Sequence, residues 1–316
     1  MDNDAQNMGV PWREEKNIHC FSHKAMATIF EIFLNSEDSH GAQSVAHEAF
    51  KLLDQLENDL SRFIDNSDIS RINKLRIGDE TLISPDTFEC LQLSDEMFQL
   101  TEGAFDITTG VLIEQWRRMG SYLSPEVKNG ISNANAFGRN HFELDNDRYA
   151  VKKISDFDIE LDLGGIGKGY AIDKLAELLL EWEFGTAFIH GGRSSLYALG
   201  TPTFESRGWP VTLSTPGVAG EPIGKLFLNN DSISGSGLGK GEHIIDPRTI
   251  QSVDGPKAAW AKAPSAAASD ALSTAFMVLE EESIRGICRV QREVGAFILS
   301  GEKWGKKLAI GEFQIV

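Results

Sequence analysis

Three short segments carry residue types that handle phosphate and hard cations. The first is DLGGIGKGYAID, residues 162–173. Its glycines let the backbone come close to a ligand because no Cβ intervenes. A helix starting there offers free N–H groups and a positive dipole end to phosphate, and Lys168 adds a point charge. The segment is neither GxGxxG followed by an acid nor GxxxxGK[ST], so the common nucleotide motifs do not apply. Locally it reads either as a phosphate cradle or as a glycine turn with a solvated lysine. The second segment is SAAASDALSTAFMVL, residues 265–279, with Asp270 and Thr274 four apart on one helix face. Carboxylate and hydroxyl oxygens suit Mg2+, completed by carbonyls, waters and phosphate. The competing reading makes Ser269 or Asp270 a helix N-cap. The third, GEHIIDPRT at 241–249, sets His243, Asp246 and Arg248 within six positions. A histidine acts as a base near neutral pH, or His243 simply packs on a sheet beside an Asp-Pro turn.

Two further segments are less specific. TEGAFDITTGVL, residues 101–112, puts Asp106 beside a small-residue turn, where it grips a polar ligand edge or caps the chain. GGRSS, residues 191–195, reads as a hairpin turn.

The elements that must position these residues alternate irregularly. Residues 25–34 read as an early strand rich in β-formers. Helices are expected at 44–63 and 86–101, the first from Phe50, Leu53, Leu56, Leu60 and Phe63 at helical spacing. Residues 119–140 read as an irregular connection. FDIELDL at 157–163 alternates as a strand, and the glycine turn after it leads into a helix marked by Tyr170, Ile172, Leu175, Leu178, Leu179 and Trp182. Beyond Gly185 strands dominate, at 186–190, 195–199, 209–214, 223–228, 257–262, 295–300 and 307–315, with helices at 267–282 and 283–293. Strand runs joined by short turns predict a mixed α/β (α+β) fold with an antiparallel-rich sheet.

Bulk properties bound the partners. The 316 residues carry a formal net charge of -17, a field that repels phosphate backbones and disfavours general nucleic-acid binding. Cys20, Cys90 and Cys288 are far apart, odd in number and form no CxxC, so they read as structural thiols. The polar first seventeen residues, read as a disordered segment 1–17, lack an export signal, and no run of about 18 apolar residues predicts a membrane span. The expectation is a cytoplasmic protein in which residues 18–316 form a single domain of two intimately packed lobes. The oligomeric state is open, a homodimer included.

Taken in order, AMAT, LSRFIDNSDISRIN, TEGAFDITTGVL, DLGGIGKGYAID, the GG turn, HIIDPRT and SDALSTAFMVL resemble the ApbE-type flavin transferases, the FAD:protein FMN transferase family, from about residue 21 to residue 299. The resemblance implies an ApbE-like, T-fold-like core with a smaller subdomain and FAD held between them. By matching position, Met26, Phe63, Ala104, Phe105, Asp106, Asp162, Lys168 and Ile245 would line the FAD site. Magnesium would be held by the Gly165 carbonyl with Asp270 and Thr274, and Ser273 stands ready to assist. The implied reaction moves FMN from FAD to a threonine or serine of an acceptor protein and releases AMP, with His243 as the expected base. Members of this family often work in the periplasm. Departures from the family pattern are Phe63 for tyrosine, Arg193 for an acid after GG, an altered 233–242 loop, and Ile250 for the glycine after HIIDPRT. They keep open an FAD pyrophosphatase releasing FMN and AMP, and a non-catalytic flavin-binding protein.

Overall fold

The computed structural model describes residues 17–119, 139–157, 159–203, 206–214, 222–237, 244–252, 258–301 and 305–315. β1 (Ile18–Ala25) and β2 (Thr28–Asn35) form a hairpin. The single early strand expected at 25–34 is therefore broken, because Met26 and Ala27 take positive φ values of 49° and 57° and turn the chain. β3 (Glu80–Leu82), β4 (Phe142–Asp145) and β5 (Ala150–Lys153) make a small antiparallel sheet in the order β3-β5-β4. β6 (Ala187–Gly191) and β7 (Ser195–Leu199) flank the GGRSS turn, as expected for a hairpin. β8 (Trp209–Ser214) and β9 (Pro222–Leu228) pair with each other, β10 is Asp231–Gly237, and β11 (Ile245–Asp246) pairs with β12 (Gln251–Ser252). β13 (Ala258–Ala263), β14 (Gly295–Ser300) and β15 (Lys306–Gly311) complete the main sheet.

That sheet runs β1-β2-β6-β7-β10-β13-β14-β15. Every neighbouring pair in it is antiparallel, as the sequence predicts. Seven helices accompany it among the described residues: α1 (Ser39–Leu60), α2 (Asp68–Asn73), α3 (Pro85–Leu100), α4 (Gly110–Met119), α5 (Gly167–Glu181), α6 (Ala266–Ala275) and α7 (Glu281–Val290). Side chains alternate between the two faces of a strand, and here both faces are covered. On one, Phe30, Ile32, Leu34, Ile189, Ala261 and Ile298 share a core with Leu53 and Leu56 of α1, Ile172 and Leu175 of α5, and Leu272 of α6. Ile83, Phe88 and Val151, around the small sheet, belong to the same core. On the other face Phe33, Phe188, Ile233 and Phe297 pack under Trp209, Val211 and Leu226 of the β8–β9 hairpin.

Two expectations differ from the fold in ways that matter for the site. FDIELDL is not a strand. Among its described residues only Glu160 makes a bridge, parallel to Thr109. Its alternation reflects the burial of Ile159, Leu161 and Leu163, while a side chain supplies the missing ladder. Asn73 of α2 accepts from Leu161 N at 2.7 Å and donates to Leu161 O at 3.1 Å. The reverse error is β10, SISGSG, a central strand that the sequence reading passed over. Its Ile233 enters one core, and its serines face α6, whose own serines meet them: Ser234 Oγ lies 2.8 Å from Ser269 Oγ, and Ser236 Oγ 2.8 Å from Ser273 Oγ. Cys20 is exposed, whereas Cys90 and Cys288 are buried, and no disulfide joins them. Among the described residues no helix is long and apolar enough to cross a membrane.

Candidate functional site

Asp270 is the hub of the site. The cap of α6 is Ser265, which accepts from Ala268 N. Asp270 therefore sits inside the helix, free of the capping role that was its alternative reading. Its buried carboxylate reaches two other elements through three donors. Ser195 Oγ of β7 donates to Oδ1 at 2.9 Å, while Gly169 N and Lys168 Nζ of α5 donate to Oδ2 at 3.1 and 3.2 Å. The Gly169 bond has a helix-end cause. α5 has no side-chain cap of its own, and first-turn amides need a partner from outside the helix. Asp270 supplies one, so the Gly169 amide serves a carboxylate rather than standing free for phosphate. The approach is close: a Cβ on Gly169 would fall 2.1 Å from Ala266 O.

Asp173, which the sequence reading passed over, returns the favour one turn along α5. It accepts from Ala266 N at 2.6 Å and Ala267 N at 2.8 Å, at the start of α6. Burial pushes its carboxyl up to about 7, against the two amides that favour its charge. The two helices thus cap each other through Asp173 and Asp270. The second aspartate of DLGGIGKGYAID was the available signal.

Around Asp270 the oxygens converge. Lys168 Nζ also donates to Gly164 O at 3.2 Å. A Cβ on Gly165 would lie 3.1 Å from Phe105 Cε2 and 3.4 Å from Thr274 Oγ1. Lys168, Gly165, Phe105, Thr274 and Asp270 are therefore brought together from three segments far apart in sequence. A carboxylate, a hydroxyl and backbone carbonyls are the oxygen donor types that suit a hard cation. Among the described residues no three His, Cys, Asp or Glu side chains gather to hold a metal. The Lys168 ammonium already lies against two oxygens there, Gly164 O and Asp270 Oδ2, and the donor types present fit Mg2+. Ser273 is fully buried, and its hydroxyl is engaged with Ser236 Oγ and, at 2.9 Å, Asp270 O.

A second cluster holds Asp162. Its Oδ1 accepts from Gly164 N at 2.8 Å, its backbone N donates to Ile107 O at 2.7 Å, and Arg62 Nε stands 3.0 Å from Oδ2. Arg62 is nearly enclosed. Its other nitrogens reach Glu160 at 3.1 Å and Glu114 at 3.5 Å, and its guanidinium lies 4.7 Å from the centre of the Phe63 ring. Phe63 itself is 71% exposed, which leaves ring surface for a planar ligand. Nothing local in LSRF marks Arg62, because its partners Glu114, Glu160 and Asp162 lie far along the chain.

Ala104 and Phe105 are buried in the 101–106 loop, where Phe105 N donates to Thr101 Oγ1 at 3.0 Å. Asp106 accepts from Thr108 N at 2.8 Å and Thr108 Oγ1 at 2.7 Å. Burial nevertheless pushes its carboxyl up to about 6. It lines a cavity of about 490 Å³ with Phe98, Ile107, Leu161 and the small sheet. Ile245 starts β11, and the turn after it carries the Asp246–Arg248 ion pair, with Arg248 Cγ 3.8 Å from where a Gly103 Cβ would stand. The HIIDPRT turn thus lies against the GAFD turn. Met26, in the β1–β2 turn, donates its backbone N to Glu57 Oε1 of α1 at 2.7 Å. Arg193 occupies the β6–β7 turn with φ 62°. His243 and residues 238–242 lie outside the described residues.

The comparisons agree with one another. A sequence model of the ApbE family matches residues 26–298. The FAD:protein FMN transferase of Haemophilus influenzae is 26% identical over 292 residues, covering 85% of this chain and 83% of the relative. That of Vibrio cholerae serotype O1 is 23% identical over 313 residues, covering 93% and 91%. Among solved structures, the flavin transferase ApbE from Vibrio cholerae superposes with a TM-score of 0.81 at 20% identity, covering 94% of this chain and 98% of that one. The apo flavinyl transferase ApbE of Pseudomonas stutzeri gives 0.78 at 22%, covering 93% and 95%. These structural likenesses are likenesses of fold, and the family follows from the match through residues 26–298: the chain belongs to the ApbE family.

Proposed function

We propose that the chain is a Mg2+-dependent FAD:protein FMN transferase. The observation that carries this is the gathering of Asp270, Thr274, Gly165 and Lys168 at the α5–α6 junction, within a chain of the ApbE family. The Haemophilus influenzae and Vibrio cholerae relatives bear the name of that activity, and the all-oxygen donor set supports the cation. Asp270 Oδ2, Thr274 Oγ1 and the Gly165 carbonyl would hold Mg2+. When bound, Mg2+ neutralises charge developing on the phosphate oxygens and aligns an in-line displacement.

The protein's own groups do the rest. Lys168, fixed beside Asp270, offers its ammonium to the pyrophosphate. Asp106, Asp162, Ala104, Phe105, Phe63, Met26 and Ile245 line the FAD site. A threonine or serine hydroxyl of the acceptor protein attacks the FMN phosphorus. The P–O bond to the AMP half breaks, AMP leaves with the bridging oxygen, and the hydroxyl proton passes to His243.

The test follows AMP, FMN and acceptor mass after incubation with FAD, Mg2+ and an acceptor bearing an Asp-x-x-Ser/Thr-like site. One AMP per FMN adduct supports transfer. Free FMN with AMP and no adduct makes the protein a pyrophosphatase, and intact bound FAD makes it a flavin-binding protein. His243→Ala is expected to bind FAD yet lose transfer, and unchanged transfer removes His243 from the base role.

A further inference from the structure

Asp270 has two oxygens in unlike surroundings. Oδ2 faces α5, where Lys168 keeps partial contact with solvent. Oδ1 points into the sheet, where Ser195 donates to it at 2.9 Å from a fully buried position 75 residues away. Ser195 belongs to the GGRSS turn, which otherwise reads as a plain hairpin. It begins β7 and stands opposite Ser234 of β10 in the ladder. The two serines are thus neighbours on the helix-facing side of the sheet, yet they have different partners. Ser234 pairs with the Ser269 hydroxyl, and only Ser195 reaches the carboxylate.

We propose that Ser195 is a positioning residue for cation binding, clamping Asp270 Oδ1 so that Oδ2 alone is presented at the α5–α6 junction. The terminal torsion of an aspartate is broad and roughly two-fold, and at Oδ2 the Gly169 amide and the Lys168 ammonium share the oxygen that a cation would take, so the donor at Oδ1 is the one left to hold the carboxylate's rotation. A serine hydroxyl at the buried oxygen removes that freedom and satisfies an acceptor that water does not reach. Asp270 then binds a divalent ion through one oxygen, leaving Thr274, the Gly165 carbonyl and ligand oxygens to fill the remaining positions. The proposal rests on the reading of Asp270 as a cation ligand given above.

The test measures Mn2+ affinity of the purified full chain, by calorimetry and by the electron paramagnetic resonance of free Mn2+. Ser195→Ala is expected to weaken binding by roughly 10–100-fold, the usual effect of removing a group that orients a metal ligand. Ser195→Cys, nearly isosteric with a weaker donor, is expected to fall between it and the wild type. Ser234→Ala deletes an equally buried hydroxyl one strand away and is expected to leave affinity near the wild-type value. In AMP-release assays the Ser195→Ala defect is expected as a raised KM for the cation, with kcat recovered at saturating Mn2+. Wild-type affinity in Ser195→Ala, or an equal loss in Ser234→Ala, overturns the proposal while the cation reading of Asp270 stands. Undiminished Mn2+ binding by Asp270→Asn overturns that reading and the proposal with it.

Discussion

Asp106 ties a buried charge to a measurable pH dependence. Burial holds its carboxyl at about 6, above the 3.8 of a free aspartate. Between those values the folded chain binds more protons than the unfolded one, so Asp106 costs stability as pH rises from about 4 to about 6. The stability of the wild type relative to Asp106→Asn is expected to fall across that window by up to about 3 kcal/mol and to stay flat above it. Denaturant titrations of both proteins from pH 4 to 8 check this, and a difference independent of pH contradicts it. Ile250 offers a second check. It is β-branched yet holds φ at 57°, a conformation costly for such a side chain. Ile250→Gly is expected to stabilise the fold by about 1 kcal/mol, read as a higher Tm. The legible residues were those whose spacing is local. Asp270 and Thr274 share a helix face, and Lys168 follows its glycines. Ser195 and Arg62 were invisible because their partners, 75 and 98 residues away, are chosen by packing.

At the scale of elements, the α5–α6 contact decides whether the site exists. Gly169 is helical, and a methyl group there would enter the space of the Ala266 carbonyl. Gly169→Ala therefore gains helix propensity but is expected to cost a net 1–3 kcal/mol by overpacking, to about that order. It is also expected to weaken FAD binding, because Asp270 loses its register against Lys168. A variant as stable as the wild type, with unchanged FAD affinity, contradicts this close contact. Most element positions were readable, since helices and β-formers repeat at their own periods. The errors share a cause. FDIELDL alternates because three apolar side chains are buried, but Asn73 takes the place of a strand partner. β10 escaped notice because its helix-facing side is serine, a choice that makes sense only once α6 brings serines to meet it.

For the whole molecule, charge and fold pull in different directions. A net charge of -17 repels polyanions at long range, so under the proposed function a dinucleotide would have to be drawn in by local groups such as Lys168 and the polar turns around it. The antiparallel-rich α/β fold was legible from strand runs and short turns. The small β3-β5-β4 sheet was not, because strands of three and four residues carry too little pattern. The central claim is that this assembly hands FMN to a protein hydroxyl. The most direct measurement is the intact mass of an acceptor protein after incubation with FAD and this chain, with Mg2+ or with a chelator. The acceptor is expected to gain one phosphate-linked FMN with Mg2+, and none with the chelator or with Asp270→Ala. An acceptor of unchanged mass beside intact FAD, or an adduct formed equally well by Asp270→Ala, would contradict it.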